Sequence, residues 1–442
     1  MTDLSSIAGT GTTQPLNKPS RVLAASLIGT TIEFYDFYIY AIAAVLVFPA
    51  LFFPGADPTT ALLASFATFS IAFFARPFGA IVFGHFGDKV GRKATLVAAL
   101  LTMGVSTVII GLLPTYATIG VWAPLLLATC RFGQGFGLGG EWGGAVLIAT
   151  ENAPPGKRSW YGMFPQMGAP VGLFLASGVF LIILYFTPAG TSASAWIAES
   201  GVWRAPFIAS SLLIVIGMWV RLSITETPDF QKAIDKHERV KVPLAEVFSH
   251  HKRSLFLGTF VALATFVLFY ISTAYLLSFN VRPLDKGGIV GLTLPEALEV
   301  QLLGALIFGL AIPVVGKLAD RFGRRQVLTI VTALIAVFSF ALAPLWSMGA
   351  PGIIIFVIVG LALMGGTYGL IGTALASPFP TRVRYTGSSL TFNFAGIFGA
   401  SLAPFIATRL EANYGLEAVG YYLGGAAIIT LVCIWASRKG EV

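Results

Sequence analysis

Apolar runs of roughly 20 residues recur along the whole chain, separated by short polar stretches. A helix of that length crosses the ~30 Å hydrocarbon core of a bilayer at about 1.5 Å per residue. The pattern predicts spans near 22–48, 61–84, 94–113, 121–149, 160–186, 204–222, 254–278, 296–316, 326–344, 352–376, 388–408 and 418–437. The longest polar interruption, 223–253, leaves six spans on either side. The expected organisation is a tail over 1–20, a six-helix unit over 21–222, a linker over 223–253, a second six-helix unit over 254–437 and a tail over 438–442. The chain reads as an all-α polytopic membrane protein of 12 transmembrane helices.

Composition agrees. Hydrophobic residues make up 56% of the chain and charged ones 11%, whereas a soluble domain carries about 25% charge. The net charge of +8 invites a nucleic-acid reading. Its distribution argues against one: 22 of the 28 Lys and Arg fall in the N-terminal tail, the even-to-odd loops and the C-terminal tail. That is the positive-inside pattern, so both termini are expected in the cytoplasm, in a bacterial-type inner membrane. Cys130 and Cys433 lie far apart in apolar runs and indicate neither a disulfide framework nor a metal site. Residues 1–20 show no basic-apolar-small cleavage pattern, so no removable signal peptide is expected.

The ten residues "GHFGDKVGRK" at 84–93 return as "GKLADRFGRR" at 316–325, matching at Gly, Asp, Gly and Arg. A weaker pair relates Pro155, Lys157 and Gly162 to Pro380, Arg382 and Gly387. Both pairs fall in loops on the same side, as in a parallel repeat of two like halves. The loop motif resembles the signature of the major facilitator superfamily. "GTTIEFYDFYIY" at 29–40, "FFARPFG" at 73–79, "RFGQGFGLGGEWGGA" at 131–145, "WRAPF" at 203–207 and "FPTRVRYTG" at 379–387 are similar to its metabolite:H⁺ symporter branch, nearest the shikimate-transporter-like group. The resemblance covers essentially the whole chain. It implies two pseudo-symmetric six-helix bundles around a central cavity, working by alternating access. One departure is visible: Ala376-Ser377-Pro378 stands where the pattern leads one to expect an acid.

The spans hold few charges. Among the acids only Glu33, Asp36 and Glu141 lie well inside, with Glu151 at the end of span 4. A carboxylate in a membrane is costly, so it is paired, protonated or functional. Glu33 and Asp36 share a helix face with Phe37 and Tyr40, about midway through span 1. Burial and mutual repulsion favour the protonated form of at least one of them, which suits a proton carrier. The alternative is a permanent salt bridge. Arg131 lies at similar depth in span 4, where its guanidinium fork suits a substrate carboxylate or an ion pair with those acids. Arg76, before Pro77, is expected to serve structure near the motif loop, and Arg204 to sit at the outer rim. Gln166, Tyr270, Tyr275, Gln301, Tyr368 and Asn393 offer neutral polar groups to a ligand, although an aromatic in such a place is more often core than ligand. Gly84, Asp88, Gly91, Arg92, Glu141, Glu151, Asp320, Gly323 and Arg324 form the expected cytoplasmic gate and motif set.

All four histidines fall in loops on the cytoplasmic side, which excludes an intramembrane histidine relay. No nucleophile–histidine pair or metal cluster lies within the spans, so an enzyme is not expected. The reading is a monomeric proton-coupled importer of a small organic acid, embedded in lipid, with no cofactor and no nucleic acid. The alternative is a proton-coupled carrier of an osmolyte such as proline or betaine.

Overall fold

The computed structural model describes residues 19–90, 92–139, 142–151, 153–154, 156–222, 243–280, 292–380 and 383–438. Every regular element among them is helical. Twelve long segments carry the fold. They are α1 (Pro19–Leu46), α2 (Pro58–Val90), α3 (Arg92–Leu112), α4 (in two pieces, Trp122–Leu138 and Trp142–Glu151), α5 (Arg158–Tyr185) and α6 (Arg204–Leu222). The second half holds α7 (Lys252–Asn280), α8 (Leu294–Phe322), α9 (Arg324–Ser347), α10 (Ala350–Ala376), α11 (Arg384–Tyr414) and α12 (Leu416–Ala436). Eight of these are long and apolar enough by themselves to cross a membrane, among the described residues. A short helix, Pro243–His250, lies within the stretch expected to link the halves and packs on the start of α11.

The two halves repeat one packing scheme. In the first, α1 packs on α5, α2 on α4 and α3 on α6; in the second, α7 packs on α11, α8 on α10 and α9 on α12. The same correspondence governs the seam between them, where α5 packs on α8 and α11 packs on α2. Prolines interrupt matching helices, Pro77 in α2 and Pro313 in α8. Wide π turns loosen α7 at Ile271–Tyr275 and α11 at Gly396–Ser401, an irregularity common at functional sites.

Local sequence explains the helix ends. Thr293 and Glu296 form a reciprocal capping box that starts α8, the Glu296 carboxylate accepting from the Thr293 N–H at 2.8 Å. Gly323, at φ +90°, turns α8 into α9 where an L side chain would be strained. This is the glycine of the second motif copy. The helix ends at 90–92, 151–158, 322–324 and 376–384 share one side of the bundle, here called the basic face because Lys157, Arg158, Arg321, Arg324, Arg325 and Arg384 cluster there.

Small residues set how closely α2 and α4 approach. A Cβ added to Gly135 would overlap the carbonyl of Ala72, and one added to Gly139 would overlap that of Arg76. Within a membrane, where oil surrounds the helices on the outside too, such close approach is a main source of association. Gly135→Val must therefore push the two backbones apart, a cost of about 1–3 kcal/mol. Thermal unfolding in detergent should show it as a lower melting temperature, while Gly425→Ala, with nothing within 4 Å of its added carbon, should leave melting unchanged.

Candidate functional site

The buried charges among the described residues, Glu33, Asp36, Arg76 and Arg131, fall on α1, α2 and α4 of the first half. Asp36 is 1% exposed. Its two carboxylate oxygens accept from the hydroxyls of Ser210 on α6, at 2.5 Å, and Thr107 on α3, at 3.0 Å. Thr107 in turn accepts from the amide of Gln134 at 2.7 Å, and Gln134 accepts from Arg131 Nη1 at 2.9 Å. Arg131 and Asp36 are thus joined through two neutral side chains, and no direct ion pair links them. Charge-assisted hydrogen bonds of this kind are the strong ones.

Arg131 has no exposed surface. Its guanidinium lies 4.0 Å from the ring centre of Tyr40, 4.3 Å from Phe37 and 4.9 Å from Phe69. Tyr40 is itself pinned, its hydroxyl donating to Thr68 at 2.8 Å. Desolvated cation–π contacts are worth about 2 kcal/mol each, so the aromatic sleeve replaces much of the lost hydration. Nη2 of Arg131 has no hydrogen-bond partner among the described residues.

Arg76 lies in the wall of the central cavity. It rests 4.7 Å from the ring centre of Phe37 and 4.6 Å from that of Phe73. Phe37 therefore touches both buried arginines. Glu33, Arg76, Trp142 and Phe37 of the first half face Phe392 and Asn393 of the second across a cavity of about 20 Å³. That is space for about one water molecule. The charged wall comes from one half and the neutral amide from the other.

Contacts above and below close this space. Toward the basic face, Trp142 stacks on Phe392 with ring centres 3.7 Å apart and planes 13° apart, and its N–H donates to Gln166 at 3.3 Å. On the other side of the cavity, Ser70 donates to the Ser401 carbonyl at 2.9 Å and Ser177 to Gln301 at 3.1 Å, each bond crossing between halves. The halves are thus joined at both ends of the cavity, an occluded arrangement.

The remaining expected residues separate by role. Tyr270 packs edge-on against Phe69 and Phe73 at the centre, and Tyr368 against Phe34 and Phe308. Tyr275 stacks on Trp346 within the second half. Gln301 also donates to the Thr273 carbonyl within the π turn of α7. Arg204 anchors the end of α3, donating to the carbonyls of Gly111 at 2.9 Å and Leu113 at 2.7 Å. Asp320 accepts from the backbone N–H groups of Ser159 and Trp160, both at 3.1 Å, and so caps α5 from the opposite half. Gly91 and Glu141 lie outside the described residues, as do the side chains of Gly84, Asp88, Arg92 and Glu151.

Sequence reasoning missed Gln134, Thr107, Ser210 and Trp142. Gln134 carried a readable signal, since it stands three residues after Arg131 and so on the same helix face. Thr107 and Ser210 carried none, because lone hydroxyls in apolar helices usually bond their own backbone. Gln134→Leu should cut the chain at its centre and strand a buried Nη1 donor. The expected loss is about 1–3 kcal/mol, read as a drop in melting temperature larger than that of the surface-facing Thr129→Val.

Comparison with known proteins agrees with this architecture. The sugar (and other) transporter family model matches residues 22–255. The chain is 54% identical to the inner membrane metabolite transport protein YhjE of Escherichia coli (strain K12), over 96% of this chain and 95% of that protein. It is 34% identical to the shikimate transporter of the same organism, over 96% and 95%, and 33% identical to its proline/betaine transporter, over 94% and 82%. Among solved structures, the partially occluded inward-open xylose transporter XylE from E. coli superposes with a TM-score of 0.71 at 14% identity, covering 95% of this chain and 99% of that one. The chain belongs to the sugar (and other) transporter family of the major facilitator superfamily: it is a multi-pass membrane transporter of metabolites, and not an enzyme.

Proposed function

We propose that the protein imports a small organic acid together with protons, with its basic face in the cytoplasm. The observation that carries this reading is the division of labour around Phe37. On one side, Asp36 is buried and tied through Thr107 and Gln134 to Arg131. On the other, Arg76 faces the cavity, where a carboxylate would enter. In this reading Asp36 carries the proton and Arg76 receives the substrate carboxylate, with Asn393 as a neutral partner. Arg131 holds the α1–α4 joint and does not grasp the cargo.

The coupling follows from the bonds. An ionised Asp36 holds the Ser210 and Thr107 hydroxyls toward α1. Protonation removes the charge that orients them and relaxes the joint between α1, α3 and α6. Phe37 is the next residue, and both guanidinium groups lean on its ring. A shift of α1 at Asp36 therefore reaches Arg76 in the cavity wall. The carrier loads proton and anion together, and the occluded form then opens to the other side. A ligand shifts such an equilibrium only through its differential affinity for the two states, which the Arg76–carboxylate contact provides.

A second reading has a specific observation in its favour. Glu33 shares the cavity wall with Arg76, and the rings of Trp142 and Phe392 stand beside them. An acid, aromatic faces and a guanidinium together suit a zwitterion such as betaine or proline.

Proteoliposomes separate these readings. With an acid-outside gradient, uptake of shikimate, 2-oxoglutarate or citrate should rise at least about tenfold over the collapsed gradient, one unit of pH being a tenfold driving force. Unchanged uptake after collapse removes the proton coupling. Asp36→Asn should abolish gradient-driven accumulation while sparing substrate counterflow, and Arg76→Gln should abolish both. Glu33→Gln that spares transport supports the acid; Glu33→Gln that destroys uptake of betaine or proline supports the zwitterion.

A further inference from the structure

Three arginines from the two halves meet on the basic face. Arg158 opens α5, Arg324 opens α9 and Arg384 opens α11. With Thr150, Thr373 and Ser377 they line a cavity of about 60 Å³. A single water needs about 10–15 Å³, so the space admits a small oxyanion. Arg158 and Arg324 are close enough for their like charges to act on each other. Such a grouping is unfavourable unless a counter-charge joins it.

The described contacts supply no such charge. Arg324 donates through Nη1 to the Thr373 carbonyl at 3.1 Å, and its buried Nε has no partner among the described residues. Arg384 donates to the Phe379 carbonyl at 3.1 Å. The hydroxyls of Thr150, Thr373 and Ser377 turn back to carbonyls of their own helices. Asp320 has its two oxygens engaged on the start of α5. The segment where the motif pattern leads one to expect an acid reads Ala376-Ser377-Pro378.

We propose that this cavity binds a phosphate-type oxyanion, which bridges Arg158 of the first half to Arg324 and Arg384 of the second and holds the basic face shut. Planar guanidinium groups offer forked donors matched to such an oxyanion. A ligand that binds only when both sides are assembled favours the closed basic face over the open one, and so slows exchange of cargo on that side. The oxyanion is either inorganic phosphate or the phosphate of a lipid headgroup.

The test uses purified full-length protein in neutral detergent, with sodium phosphate titrated against sodium chloride at matched ionic strength. Phosphate should give a saturable rise of about 2–4 °C in melting temperature. Arg158→Gln and Arg324→Gln should lose it. Ser377→Glu, which ties a carboxylate into the cavity, should raise melting in chloride alone and remove the phosphate response. This variant keeps the test sharp if an arginine variant fails to fold. Nanodiscs of phosphatidylglycerol against phosphatidylcholine distinguish the sources: a rise confined to phosphatidylglycerol and lost in the same variants assigns the site to a headgroup. Phosphate indistinguishable from chloride in detergent together with no lipid effect overturns the proposal, as does a rise that the arginine variants retain. A phosphate response seen only after Glu151→Gln also overturns it, because the counter-charge then belongs to the chain itself.

Discussion

A guanidinium with no exposed surface and no carboxylate in contact must be held by something else. Arg131 is held by three aromatic rings and by the amide of Gln134. The rest of the first half is arranged around that requirement. Gln134 can reach Thr107 because Gly137 on the same helix lets α3 approach, an added Cβ there meeting the Ala99 carbonyl and Met103. Thr107 then meets Asp36 on α1, and Asp36 meets Ser210 on α6. Four helices are locked by a single line of polar contacts. Polar chains of this type specify one arrangement because each member is costly to leave unpaired.

The second half is built from the same packing scheme but shows no such charge line among its described residues. Its centre is filled by rings and by Asn393, Gln301 and Thr265–Thr367, the last pair hydrogen-bonded at 2.8 Å. The halves are therefore alike in backbone and unlike in chemistry. The first half ties Asp36 and Arg131 into a linked chain, and the second supplies a neutral wall and wide π turns at which a helix can bend.

Much of this was legible in the sequence, and the rest was hidden for a clear reason. Run length gave the twelve spans, and the paired loop motifs gave the repeat of two like halves. Depth in the membrane follows from counting residues, so Asp36 and Arg131 were placed near the same level. The direction a side chain takes around its helix depends on which neighbour lies there, and counting does not supply it. The placement of Arg76 on Phe37 and Phe73 beside the cavity was hidden for that reason. The same blindness hid Thr107 and Ser210, whose hydroxyls look like any others until α1 is seen against α3 and α6.

The cap that Asp320 places on α5 has a further consequence. Its acceptors meet main-chain N–H groups, which every residue but proline possesses. The cap itself is therefore indifferent to the side chains at 159 and 160. Those side chains answer to a different constraint, since Ser159 is buried and the ring of Trp160 lies under Lys317 of the opposite half. The seam thus asks for one carboxylate and two free N–H groups on one account, and for shape and an aromatic face on another.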